Sequence, residues 1–394
     1  MPNTILTPTA VTREALRVLH QKLNFVGSIN REYDDSYANT GAKIGNNLNI
    51  RLPNQYTVRT GASLSTQDTT ESSVQLQVNT QKGVDTTFSS NELTMSLDDF
   101  SARILQPAMA VLAANIESDV LSNVYKDVYQ SVWNVGSAAT YNLALDTRVL
   151  LQRALAPTND RTALFDPKAM ADIVKDTKSL FNDQASVGKQ YKEGYMGRVA
   201  GFDWAENTMM PAHTRGSADA AWVCNTSTGI TTGSSTITIT GGTGTSAIGD
   251  VFTIAGVFQA HPETKASTGI LQQFVSTTAA GGTQVVSPTP VTSGALQNVV
   301  ISGAGAGKVV TWLGTASAAT QTALMYQKDA FTFATADLIM PKGVDFAARE
   351  VMDGISMRIV RQYAISTDTF PVRIDVLYGF KTIRAALAAR FHNN

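Results

Sequence analysis

What most constrains the fold is a change of pattern in the middle of the chain. From about residue 222 to 324, Thr, Ser, Gly and Val dominate and helical periodicity disappears, while helix-like and strand-like patterns mix on both sides. Runs at 236–240, 250–258, 270–275, 297–301 and 308–313 have strand length and are separated by Gly241-Gly242, Gly281-Gly282 and the glycines of 303–307. Several short strands with almost no helix predict a small barrel or sandwich. Because mixed patterning resumes near Tyr326, this module is expected as an insertion within another domain, over 213–328.

Outside it the signals are helical and extended by turns. Ile104, Ala108, Leu112, Ile116, Val120, Val124 and Val128 recur at intervals of four, with Glu117, Asp119, Lys126 and Asp127 off that row. Ser96-Leu97-Asp98-Asp99 matches a capping box. An unbroken helix over 98–132 would run about 50 Å at 1.5 Å per residue, with Pro107 kinking it or marking its main start. Nearer the N-terminus, Ala15, Leu16, Leu19 and Leu23 follow Thr12 at helical spacing over 12–23.

Two alternating runs, Leu48, Ile50, Leu52 and Val74, Leu76, Val78, flank a polar stretch too long for a tight turn, so an extended two-stranded arm is expected. Such a ribbon is marginal alone, and its apolar face is expected against a neighbouring subunit. Further on, a helix is expected over 147–156, a strand over 162–165, a helix begun by Asp166-Pro167 and a glycine-bounded segment over 197–203. Strands at 356–363 and 372–378, Gly379 and an apolar tail to Phe391 close the chain. The class is α+β.

The formal net charge is -1 and only 16% of residues are charged, against about 25% in an average soluble domain. No basic run occurs, which argues against a dedicated DNA binder. Residues 1–10 do not resemble a signal peptide and no stretch approaches a membrane span, so no membrane association and a cytoplasmic site of synthesis are expected. The single Cys224 excludes an internal disulfide and is expected to be buried.

His20, His213, His261 and His392 lie far apart in sequence without ligand spacing, and each is expected to be structural or on the surface. Gly303-Ala304-Gly305-Ala306-Gly307-Lys308 lacks the leading Gly and trailing Ser or Thr of a phosphate loop, and is expected as a mobile turn. Asp34-Asp35 fits a solvated loop, and Asp98-Asp99 fits a helix start. Asn225-Thr226-Ser227 matches a glycosylation pattern but has no export signal to give it meaning. No catalytic, cofactor-binding or metal-ligating residue is assigned, and an enzyme has no constellation in its favour.

This order of elements resembles the major capsid (coat) proteins of tailed bacteriophages, with the Hong Kong 97-type (HK97-like) fold, over essentially the whole chain. Gly201-Phe202-Asp203, Gly249-Asp250 with Ala255-Gly256-Val257, and Tyr378-Gly379 look like the short-tailed-phage branch that carries an inserted β-barrel. The resemblance implies an N-terminal arm (1–30), an extended loop with peripheral strands (31–95), a spine helix (96–140) and a first axial part (141–212). The inserted barrel (213–328) and an axial return with closing peripheral strands (329–394) would follow.

It further implies pentamers and hexamers of one chain forming an icosahedral shell around double-stranded DNA in the virion, assembled in the host bacterial cytoplasm. A portal protein is an implied partner, and the lack of a long N-terminal pro-region suggests a separate scaffolding protein. Arg51 and Arg59 on one limb of the arm, with Asp68 and Glu71 on the other, are the charges expected to pair between subunits. The competing expectations are an encapsulin-like nanocompartment shell and a β-rich carbohydrate-binding surface protein.

Overall fold

A computed structural model of the chain describes residues 8–34, 47–64, 66–67, 71–89, 106–177, 197–352 and 355–393. Helices α1 (Pro8–Lys22) and α2 (Phe25–Ser28) precede strands β1 (Asn30–Asp34), β2 (Asn47–Arg51), β3 (Ser73–Gln77) and β4 (Thr80–Ser89). Helix α3 (Gln106–Val124), strand β5 (Ser131–Trp133), helix α4 (Tyr141–Arg153), strand β6 (Arg161–Phe165) and helix α5 (Pro167–Thr177) come next. Strands β7 (Arg198–Val199), β8 (Phe202–Glu206) and β9 (Ala212–Thr214) lead to β10 (Val223–Cys224), β11 (Thr236–Thr240), β12 (Val251–Ala260) and β13 (Ser267–Ser276). Then follow β14 (Thr283–Ser287), β15 (Val299–Ile301), β16 (Lys308–Trp312), β17 (Ala319–Gln327) and β18 (Phe331–Ala336). The chain closes with β19 (Phe346–Met352), β20 (Ile355–Arg361), β21 (Thr369–Thr382) and β22 (Ala388–Asn393).

The chain divides into two compact units, the first comprising Met1–Ile50, Ser73–Val120 and Phe331–Ile383. Its sheet runs β1-β18-β21-β20-β19, with β4 along the other side of β21. The apolar row Ala15, Leu16 and Leu19 is buried and α1 lies against β19 and β20. On α3, Glu117 is buried and its Oε1 accepts the Phe25 amide at 2.7 Å, the orphan donor that opens α2. The off-row acid is therefore an internal acceptor. Asp119 accepts the Tyr378 hydroxyl at 2.6 Å and pairs with Lys82 at 3.3 Å.

Strands β2 and β3 form the expected ribbon. Its root does not wait for a neighbour: Leu48, Ile50, Leu76 and Val78 pack on Ala334, Ala336 and Leu377 of the same chain. The ribbon crosses β21 at Gly379, where an added Cβ would stand 1.9 Å from the Gln77 carbonyl oxygen. Only a residue without a side chain permits that crossing.

The second unit comprises Arg51–Ser72, Leu121–Ala330 and Arg384–Asn394. Its central sheet runs β5-β22-β17-β6-β8-β7, with β9 also pairing β17. Helix α5 starts as expected, the Lys168 amide donating to Asp166 Oδ2 at 3.0 Å. Helix α4 begins earlier than its apolar spacing indicates, because Thr140 caps it by accepting the Leu143 amide. It also ends earlier, since Leu155 adopts a positive φ of 56° ahead of Pro157. The hairpin of β7 and β8 turns on Ala200 and Gly201, both at positive φ, as a two-residue turn requires.

The described part of α3 begins at Gln106-Pro107, and the residues that would tell a kink at Pro107 from a start lie outside the described residues. Ser96 to Asp99, Asp35 and Ile104 lie outside the described residues. The helix stops at Val124, eight residues short of expectation, and a 3-10 turn leads to β5. The run Val128-Tyr129-Gln130-Ser131-Val132-Trp133 favours strand, and β22 supplies a parallel partner in register Arg390↔Ser131 and His392↔Trp133.

The β-rich stretch closes on itself. Strands β13-β14-β11-β10-β16-β12 pair in turn and β12 returns to β13, giving a six-stranded antiparallel barrel with β15 added on β12. In β11, Ile237 and Ile239 point into the core while Thr236, Thr238 and Thr240 face out. Phe252, Ile254, Phe274, Val310 and Trp312 complete that core. The barrel segment leaves after β9 and returns at β17, which pair with each other.

Candidate functional site

Three of the predicted assembly charges, Arg51, Arg59 and Glu71, lie exposed on the arm. Arg51 Nη1 lies 3.1 Å from Glu71 Oε2, with both side chains well exposed. Arg59 donates instead to the Ser63 carbonyl at 3.0 Å and to the Gly61 carbonyl, so it shapes its own limb rather than reaching Glu71. Asp68 lies outside the described residues. The limbs are tied where Gln67 Oε1 accepts the Thr57 amide at 2.9 Å and Gln67 Nε2 donates back to the Thr57 carbonyl. Val58 and Leu64, 95% and 84% exposed, and Tyr56 present apolar surface on this arm. Three large exposed apolar residues in a polar segment are a feature that charge alone does not reveal.

Behind the exposed surfaces lies a buried polar cluster, wholly in the second unit, that sequence spacing did not reveal. His213 on β9 bonds through Nε2 to Asp250 Oδ1 at 2.9 Å, and its Nδ1 is 3.2 Å from the Tyr125 hydroxyl. The Asp250 carboxylate can only accept, so the proton sits on Nε2 and the tyrosine donates to Nδ1. Asp250 Oδ2 accepts the amides of Gly216 and Ala247, at 2.9 and 2.8 Å. Arg390 on β22 is fully buried, donates to the Gly249 carbonyl and stacks over Tyr125 at 5.5 Å. His392 bonds Thr320 Oγ1 at 3.1 Å, stacks on Trp133 at 3.7 Å and lies 5.6 Å from His213.

These neighbours set the protonation states. Burial lowers the His213 pKa and outweighs its bond to Asp250. Burial, then Arg390 and His213, hold His392 well below the ordinary histidine range. The Arg390 guanidinium is brought down to about 10 by burial, and the Tyr125 hydroxyl is pushed up. Tyr125, His213 and Asp250 therefore form an enclosed hydrogen-bonded chain in which the tyrosine is driven toward its neutral form.

The other expectations resolve simply. His213 and His392 are buried in this cluster, and Nδ1 of His261 accepts amides of its own turn. The side chain of His20 lies outside the described residues. Cys224 is buried and burial pushes its thiol to about 11. The glycine-rich segment is the turn between β15 and β16, tied to Thr226 by the Gly305 carbonyl and amide. Among the described residues no group of three or more His, Cys, Asp or Glu side chains is placed to hold a metal, and no helix is long and apolar enough to cross a membrane.

The sequence matches the family described as P22 coat protein, gene protein 5, over residues 31–389. The chain belongs to the P22 coat protein family. It is a phage major capsid protein, a component of the virion shell. Neither a nanocompartment shell nor a carbohydrate-binding protein is favoured by that match. No curated protein matches the chain. Among solved structures, the coat protein is similar to one from Mycobacterium phage Che8, at 11% identity and TM-score 0.47, covering 94% of this chain and 90% of that one. It is similar to the mature capsid of bacteriophage PhiM1, at 12% identity and TM-score 0.47, covering 94% and 87%. At such scores these likenesses add no weight to the family match. In the coat protein, Gly201, Gly249-Asp250 and Gly379 are a hairpin turn, a corner of the buried cluster and the ribbon crossing.

Proposed function

We propose that this coat protein is an HK97-like subunit that assembles as pentamers and hexamers into an icosahedral shell around double-stranded DNA, in the host cytoplasm. In this reading the first unit contains the peripheral domain, the sheet of β5, β22, β17, β6 and β8 is the axial domain, and the barrel is an inserted domain that stabilises its own subunit. Its partners are further copies of itself, a separate scaffolding protein and the portal protein. The family match over residues 31–389 carries the reading. The barrel's position between the paired strands β9 and β17 supports its role as an insertion.

On the arm, Arg51, Arg59, Asp68 and Glu71 are read as contacts to a neighbouring subunit, joined by Tyr56, Val58 and Leu64. The subunit has no reaction to perform; it works by presenting many modest contacts that sum over a lattice. Electron microscopy of the protein expressed alone and with phage scaffolding protein is expected to show closed shells. Monomers under every condition would overturn the reading.

A further inference from the structure

The buried cluster joins two parts of the second unit. Asp250 and Gly249 belong to the approach to β12 of the barrel, whereas His213, Thr320, Arg390 and His392 sit on β9, β17 and β22 of the central sheet. Around this polar centre, Ser131 and Gln273 exchange reciprocal hydrogen bonds at 2.7 and 2.8 Å. Tyr129, Val251 and Val275 form a small apolar seal. Barrel and sheet are thus held by one continuous contact whose centre is ionisable.

The charges facing the two histidines are Arg390 on β22, Lys126 in the turn after α3 and Asp250 ahead of β12, with Tyr125 as a neutral donor; Arg215 after β9 faces Asp250, and Asp127 faces Arg390. Asp250 and Arg390 are both buried and oppose one another, leaving the enclosed centre close to balanced while both imidazoles are neutral. His213 is then satisfied at both nitrogens. One added proton converts Nδ1 from an acceptor to a donor facing the Tyr125 hydroxyl, which must reverse its own bond. A second proton, on His392, places a cation beside Arg390, and the His392 Nε2 has no acceptor among the described residues. Isolated buried charge of this kind is relieved by exposure to water.

We propose that the joint is an acid-operated latch: protonation of His213 and His392 releases the barrel from the central sheet within one subunit. The sign follows from linkage. Both imidazoles bind protons less readily when enclosed than when released, so the closed form is favoured above about pH 6.5 and loses ground as pH falls below it. Each histidine that takes up a proton on release raises the opening constant about tenfold per pH unit in that window, and both together about a hundredfold.

Hydrogen exchange of the full-length subunit between pH 7.5 and 5, corrected for intrinsic exchange, tests this. Opening measured in peptides covering 131–133, 249–253 and 388–393 is expected to rise at least tenfold per pH unit below 6.5, while β18 to β21 stay protected. In the doubly substituted His213→Gln, His392→Gln protein that rise is expected to vanish. A flat wild-type response, or an equal rise in the substituted protein, would overturn the latch. Should the substituted chain not fold, imidazole resonances of the wild type decide. Rings that stay neutral until the joint opens support the latch, and a ring titrating near 6.5 with the joint still protected refutes it. Shell formation at pH 7.5 is a separate readout, so failure of the capsid reading and failure of the latch are distinguishable.

Discussion

The extended arm and the buried joint both bring opposite charges together, at opposite extremes of exposure. Arg51 and Glu71 meet in water, where screening and side-chain entropy leave such a pair worth about 0–1 kcal/mol. Asp250 is enclosed, with each oxygen used: one meets His213 and the other two backbone amides. The first arrangement can be exchanged for a partner's charges at little cost. The second cannot be undone without stranding Arg390. The pair on the arm is weak and wet, while the Asp250 carboxylate of the joint is dry and satisfied at both oxygens.

The comparison is broken most directly at Asp250. Asp250→Ala leaves Arg390 buried without its main counter-charge and two amides without an acceptor, and is expected to destabilise the isolated subunit by about 3–5 kcal/mol in urea unfolding. A loss below 1 kcal/mol would mean that the joint is no more important than the arm.

Asp375 provides an intermediate case. Burial alone would raise its pKa, but hydrogen bonds from Arg358 and Arg373 hold it below the usual carboxylate value. Its contribution is therefore present above about pH 4 and fades as pH falls through the depressed value. Asp375→Asn is expected to cost about 1.5–3 kcal/mol at pH 7 and to converge with the wild type as pH falls below the depressed value; a cost independent of pH would show that packing, not charge, governs the site.

Gly379→Ala tests steric rather than electrostatic wiring. Because the clash is with backbone, the ribbon root must shift, at about 1–3 kcal/mol, seen as faster exchange in 47–51 and 73–77. Unchanged exchange there would place the crossing elsewhere in solution. The smallest effect is expected at Arg51 and Glu71. A double-mutant cycle with alanine is expected to give a coupling of about 0.2–1 kcal/mol in the free subunit, falling with salt, and a larger effect on shell yield. Equal, negligible effects on both would remove this pair from the assembly surface.

Much of the barrel was legible because its signals are local. The run Thr236 to Thr240 alternates within five residues, its strand has those bounds, and the glycine pairs fall at turns. Asp166-Pro167 likewise announces α5 through a cap two residues away. The end of α3 was misjudged because its apolar row continues to Val128, while β22, more than two hundred and fifty residues on, captures Ser131 to Trp133 as a strand. The burial of Glu117 was not legible for the same reason: its partner is the Phe25 amide, and nothing near it in sequence announces that donor.

The joint was invisible for a stronger reason. Tyr125, His213, Asp250, Arg390 and His392 are each unremarked in their local sequence, and no spacing rule relates them. They meet because β9 and β22 flank β17 and the barrel segment returns to that strand.

By itself the sequence determined the class, a run of short strands in the middle of the chain and the glycines at which those strands turn. These are matters of periodicity, steric freedom and capping, which act over a few residues. Only the tertiary structure decided where the helix stops, which face the ribbon covers and which charges are enclosed. Those outcomes depend on strand pairing between distant segments, and desolvation has no value until the neighbours that exclude water are in place.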